Sequence, residues 1–187
     1  MPTSRTILLI SLVLMATVAR LIPHAENFAP LTAMMLFSAA FVPDRRLAIA
    51  LPFVARIISD VILQSTKYSS LQAEMWRNAG WVYASMILIA AIGLWLRGRV
   101  RPMPVALATL AGAGTFFVVT NFGSWLAYPD LYRRSVSGLI DSYVAAIPFF
   151  RSTLISDVVC SAIFFGGFAL LEHFVPNMRV QTAEARA

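Results

Sequence analysis

Long apolar runs, separated by polar turns too short to hold a soluble module, set the narrowest limit on what this chain can become. In hydrocarbon every backbone N–H and C=O must be bonded inside the protein, so such runs cross a bilayer as helices. The runs at about 6–22, 47–63, 75–96, 103–126 and 148–174 each reach the roughly 17 residues that a spanning helix needs. The run at 31–42 is too short to span alone and must be tilted or shielded by its neighbours. Of the 187 residues, 59% are hydrophobic and only 13% charged, far from the balance of a soluble domain. The expectation is an all-α integral membrane protein: one transmembrane domain over 1–187, a six-helix bundle with a short second helix, and a polar cytoplasmic tail at 176–187.

The basic residues carry topology. A net charge of +6 would suit nucleic acid if it formed one face, but the arginines are scattered at helix ends, which excludes that partner and leaves the lipid bilayer. Arg5, Arg45, Arg46, Arg97, Arg99, Arg101, Arg179 and Arg186 fall on one side of the predicted membrane. Arg20, Lys67, Arg77, Arg133 and Arg134 fall on the other. The positive-inside rule then places both termini in the cytoplasm of a bacterial inner-membrane protein. The segments 20–30, 64–74 and 128–142 open outward. The single cysteine, Cys160, lies in an apolar run and permits no disulfide within one chain.

Candidate ligand groups cluster at the outer side. Pro23 and Pro30 bracket a turn that holds His24, Glu26 and Asn27, with Phe28 beside them, and this reads either as the lip of a binding pocket or as a plain connector. Within the runs, Arg56 and Asp60 lie four apart on one helix face, so they either pair with each other or face a cavity. An ionised group in hydrocarbon costs roughly 2.5–3.5 kcal/mol even on the gentler insertion scale, so Arg151 and Asp157 are expected to face the bundle interior or water as well. A weak inverted echo relates Pro52-Phe53, Arg56 and Ser59-Asp60 to Pro148-Phe149, Arg151 and Ser156-Asp157, and it suggests that both polar clusters line one cavity. Trp81 and Tyr83 on the fourth helix and Tyr143 near the sixth add aromatic walls. Asn78 and Gly80 either widen a pocket or permit packing, and Ala111-Gly112-Ala113-Gly114 suits close helix approach.

No phosphate loop, zinc-protease helix or nucleophile elbow is present, and His24 and His173 fall on opposite predicted sides. Three function classes remain. The first is a membrane protein that binds a small molecule. The second is a small membrane enzyme using Asp60 and Asp157 as paired carboxylates on a lipid-like substrate, which requires them to converge. The third is an assembly subunit with no cavity.

The pattern Arg20-Leu-x-Pro-His-x-x-Asn-Phe-x-Pro-x-x-Ala33, with Leu36-Phe37, Arg46 and Ser59-Asp60, resembles the substrate-binding S-components of energy-coupling factor (ECF) vitamin transporters. Together with Tyr143-Val-Ala-Ala-Ile-Pro-Phe-Phe-Arg151 it looks closest to the BtuM cobalamin-uptake branch. The resemblance implies an ECF S-component fold with an external pocket, bounded by His24, Asn27, Phe28, Asp60, Asn78, Trp81, Tyr83, Tyr143 and Arg151. It implies uptake of a vitamin-like molecule, cobalamin or another corrinoid, with no intrinsic cofactor and with His24 as candidate ligand to the corrinoid cobalt. Some members of that branch carry a cysteine near the start of the fourth helix, where this chain has Trp76-Arg77-Asn78-Ala79-Gly80-Trp81. Thiolate chemistry on the ligand is therefore not expected, and neither is an enzyme. The first helix lacks a clean Ala-x-x-x-Ala, which leaves open a coupling ATPase module or solitary action.

Overall fold

The computed structural model describes residues 4–21, 30–66 and 72–175, and the regular structure among them is all helical. Six helices follow in order: α1 Ser4–Leu21, α2 Leu31–Phe41, α3 Arg45–Thr66, α4 Gln72–Trp95, α5 Pro102–Ala127 and α6 Val136–Phe174. A π turn at Ala162–Gly166 interrupts α6 without ending it. Three stretches are long and apolar enough to cross a membrane: Arg77–Trp95, Pro102–Ala127 and Val136–Phe174. The chain is thus an all-helical protein of membrane type. The 22-residue α3 has the length to span but carries Arg45, Arg46, Arg56 and Asp60.

The last helix corrects the sequence expectation. Its start was expected at 148, and 128–142 was expected to be mostly loop. Instead the helix begins twelve residues earlier, where the Ser135 hydroxyl accepts from the Gly138 N–H as an N-cap. Pro148 sits inside it. The added turns are held by α5: the Tyr143 hydroxyl donates to the Val118 carbonyl at 2.9 Å, and its ring packs on Phe117. Residues 64–74 are likewise less loop than expected, because α3 runs to Thr66 and α4 starts at Gln72.

The short α2 is the centre of the bundle. Its sequence is apolar all round, and such a helix is stable only when every face is covered. It packs on α1, α3, α4, α5 and α6, and nine of its eleven residues are buried. At 1.5 Å per residue it is about 16 Å long, half the thickness of a ~30 Å hydrocarbon core. The neighbours therefore supply the shielding that its length demands. Phe37 lies in an aromatic cluster with Phe41, Phe164, Phe165 and Phe168, ring centroids 5.0–5.6 Å away, which ties α2 to the π-turn region of α6.

A half-length helix leaves end groups inside the bundle or at its edge, and the fold supplies partners for them. At the C-terminal end, Arg97 donates to the carbonyls of Ala39 at 2.8 Å, Val42 at 2.6 Å and Pro43 at 3.0 Å. A cation is also favoured there by the helix dipole. Desolvation, and then the like charge of Arg45, hold the Arg97 guanidinium below its usual pKa, with Asp44 acting in the opposite sense. The turn that presents Arg97 depends on Gly98, whose φ of +72° favours glycine. These bonds bring the two basic turns, Arg45-Arg46 and Arg97 to Arg101, to one end of the bundle, as the charge count anticipated. On the same helix the buried Ser38 hydroxyl donates to the Ala48 carbonyl at 2.7 Å and locks α2 to α3. Ser38→Ala should cost about 1 kcal/mol, read as a small loss of thermal stability in detergent with no change in helix content.

At the N-terminal end of α2 stands Asp157 of α6, 0% exposed. Its carboxyl faces the Thr32 hydroxyl and the N–H groups of Thr32 and Ala33. By strict hydrogen-bond geometry neither carboxyl oxygen has a partner among the described residues. An acid at this position complements the positive end of the helix dipole.

Candidate functional site

The antiparallel packing of α5 against both α4 and α6 creates the candidate site. Asn78 of α4 meets Ser124 of α5, while Thr109 and Val118 of α5 meet Ser161 and Tyr143 of α6. Toward the end away from Arg97, the three helices enclose a cavity of about 320 Å³. Its walls are Asn78 and Val82 from α4; Phe116, Phe117, Thr120, Asn121 and Ser124 from α5; and Ala146, Phe149, Phe150 and Thr153 from α6. Asp157 lies one helical turn beyond Thr153, toward the N-terminus of α2.

The hydrogen bonds of the wall set its polarity. Thr120 donates to the Phe116 carbonyl at 2.7 Å, Asn121 Nδ2 to the Phe117 carbonyl at 2.7 Å, and Thr153 to the Phe149 carbonyl at 3.2 Å. Ser124 donates to the Thr120 carbonyl at 3.0 Å, which spends its only proton. Asn78 must therefore present its amide nitrogen to the Ser124 oxygen, and Nδ2 donates to it at 3.0 Å. That orientation leaves Asn78 Oδ1 buried and without a bonded partner among the described residues. Because most hydroxyl protons are consumed by helix carbonyls, the polar wall is biased toward accepting. Among the described residues no charged side chain lines the cavity. Phe117 and Phe150, with centroids 4.6 Å apart and planes inclined by 45°, supply an aromatic, apolar wall.

The expected site residues are only partly brought together. Asn78 lines the cavity, and Tyr143 supports it from behind through Phe117. Trp81 does not line it. The indole lies over Gly123, so close that a β-carbon there would collide with the ring, and meets Phe122 edge-on at 5.5 Å. Tyr83, expected in the cavity, stacks on Phe53 at 6.1 Å and packs against the core. Asp60 is 5% exposed and accepts from Arg56 Nε at 2.6 Å, the internal pair that its i,i+4 spacing allows. Arg151 departs furthest: it is exposed on the face of α6 that also carries the exposed Val144, Ile147 and Ile155. His24, Asn27 and Phe28 lie outside the described residues.

The echo between the two halves survives only in burial. Ser59 and Asp60 are buried, as are Ser156 and Asp157, and none of the four lines the cavity beside Asn78. Asp60 belongs to α3, which packs on α1, α2 and α4, whereas Asp157 belongs to α6, which packs on α2 and α5. Among the described residues no group of three or more His, Cys, Asp or Glu side chains is placed to hold a metal ion. Sequence reasoning missed Thr120, Asn121, Ser124 and Thr153. The signal was present as a polar patch with i, i+1, i+4 spacing inside an otherwise apolar α5.

A buried half-length helix and three helices long and apolar enough to cross a membrane define a helical protein of membrane type, with a cavity between α4, α5 and α6. The family comparison agrees with the extent of this unit: residues 1–178 match the model of a family of unknown function, DUF6580. The chain belongs to that family. No curated protein and no solved structure matches it.

Proposed function

We propose that the protein is a membrane uptake protein, in a bacterial inner membrane with both termini cytoplasmic, that takes a small molecule from outside and carries it inward without chemical change. The observation that supports this best is the uncharged, acceptor-biased cavity around Asn78, placed between three helices fit to span a membrane. An ionic ligand finds no counter-charge in that wall. A ligand bearing N–H or O–H donors and a flat ring finds Asn78 Oδ1 for its donors and Phe117 with Phe150 for its ring.

The ligand is a vitamin-like compound. Its volume argues for a compact ring system, since about 320 Å³ lies at the lower end of the ~300–1,000 Å³ of ligand pockets and a whole corrinoid is larger. Cobalamin and cobinamide remain the first compounds to test, because the resemblance points to them and His24 is the candidate cobalt ligand. A coupling ATPase module and solitary action are distinguished by uptake into liposomes that contain this chain alone.

The test is a thermal-shift and equilibrium-binding screen of detergent-purified protein against corrinoids and compact neutral heterocycles, with Asn78→Leu and Thr120→Val alongside. Loss of a buried acceptor costs about 1–3 kcal/mol, so Asn78→Leu should weaken a true ligand about five- to 150-fold. Thr120→Val should weaken it less. A ligand bound equally well by both variants would place its site elsewhere and sink the assignment of this cavity.

A further inference from the structure

A second concavity lies at the opposite, basic end, on the outside of the bundle. The N-terminal half of α5 and the π-turn region of α6 enclose about 550 Å³ between Arg101, Ala106, Leu110, Ala162 and Gly166. The π turn and its small residues keep this side of α6 open: a β-carbon on Gly166 would meet nothing within 4 Å. The polar atoms in its wall are already matched. Thr109 Oγ1 lies 2.9 Å from the Val105 carbonyl, to which it donates, and 2.9 Å from Ser161 Oγ, which it joins in a second hydrogen bond. The slot therefore offers a polar solute almost nothing along its length, except at one end.

That end carries charge. Arg101 is exposed at the mouth, and Arg99 and Arg97 precede it in the same turn. Arg97 is occupied by α2 carbonyls and Arg99 by the Trp95 carbonyl, whereas no hydrogen bond or ion pair engages Arg101 among the described residues. From Arg101 to Leu110 the helix rises about 14 Å, close to the roughly 15 Å depth of one bilayer leaflet. A cation at the boundary and an apolar slot one leaflet deep match a molecule with an anionic head and a single embedded chain.

We infer that this groove is a binding site for an anionic phospholipid of the inner leaflet, with one acyl chain lying between α5 and the π turn of α6 and the phosphate on Arg101. The inference rests on the membrane setting of α5 and α6 and is independent of the uptake reading. A lipid held there touches the same two helices that wall the ligand cavity at the other end.

Native mass spectrometry of the detergent-purified chain, titrated with dioleoylphosphatidylglycerol or dioleoylphosphatidylcholine, tests it. The wild type should retain one phosphatidylglycerol in preference to phosphatidylcholine. Arg101→Gln should reduce that preference about fivefold, the effect of one arginine near an anionic surface. Gly166→Leu, which fills the slot and keeps the charge, should lower retention of both lipids. If that variant does not fold, Ala106→Leu fills the same slot from an exposed position of α5. Equal retention of the two lipids by the wild type, or undiminished phosphatidylglycerol on a folded slot-filling variant, overturns the inference. A lipid-free dimer that Gly166→Leu or Ala106→Leu converts to monomer assigns the groove to a second copy of the chain and overturns it equally.

Discussion

Arg97→Ala is expected to destabilise the protein by about 3–5 kcal/mol, since hydrogen bonds to a charged group are worth about 1.5–3 kcal/mol each and three are lost from a partly exposed site. The variant leaves the carbonyls of Ala39, Val42 and Pro43 without their donor at the point where α2 ends. It also removes the cation that complements the C-terminal end of the helix dipole. Arg97→Lys keeps the charge but, lacking the planar fork, cannot reach three diverging carbonyls, so it should recover only part of the loss. Thermal unfolding in detergent, followed by far-UV circular dichroism, reads both. A midpoint for Arg97→Ala within a degree or two of the wild type would mean that water or lipid headgroups already serve those carbonyls, and the account of α2 would need revision.

Gly93→Leu is expected to abolish the folded state. A β-carbon at Gly93 would stand 2.6 Å from the Ala39 β-carbon and 3.1 Å from both the Cα and the carbonyl oxygen of Leu36. Two of those three atoms are backbone of the central helix and cannot swing aside. In a membrane, helices associate through packing rather than water exclusion, so pushing α4 off α2 forfeits the interaction that holds them together. Even Gly93→Ala should cost about 2–3 kcal/mol, the upper range for overpacking. Gly114→Ala is the matched control, because nothing lies within 4 Å of its added carbon and it should be neutral or slightly stabilising. Comparable yields of folded Gly93→Leu and Gly114→Ala protein would refute the close approach of α4 to α2.

These two variants also show where sequence reasoning stopped. The small-residue passage at 111–114 was recognised as a packing feature, and a β-carbon on Gly112 would indeed stand 2.5 Å from the Thr32 methyl. Gly114, two residues on, faces open space, and the glycine that meets the backbone of another helix is Gly93, an isolated glycine with no local pattern around it. A glycine's spacing along its own helix says which face it occupies. It says nothing about which helix comes to that face.

The same limit explains the site. The pairing of Arg56 with Asp60 was legible because both residues lie on one helix, four apart. Asn78 was anticipated as a site residue, but its role depends on Ser124, forty-six residues away, whose proton is already committed to its own helix. Tyr83 and Trp81 were assigned to the cavity by depth and residue type, yet depth does not choose between neighbouring faces, and they found Phe53 and Gly123 instead. Arg151 was misplaced through an error of length. Starting α6 at Pro148 left out twelve residues, about three turns, which pack on α5 through Tyr143.

By itself the sequence determined the class of protein, the number and order of the helices, the need to shield α2, and the gathering of basic turns at one end. These follow from local quantities: run length, mean hydropathy, cap residues and charge placement, each summed along a short segment of chain. Only the tertiary structure decided that α2 is the centre, that Arg97 closes one of its ends and Asp157 faces the other, and that the polar patch of α5 becomes a cavity wall. Those outcomes depend on the rotation and axial register of one helix against another. Both are set by contacts between residues tens of positions apart, to which no single segment's periodicity is sensitive.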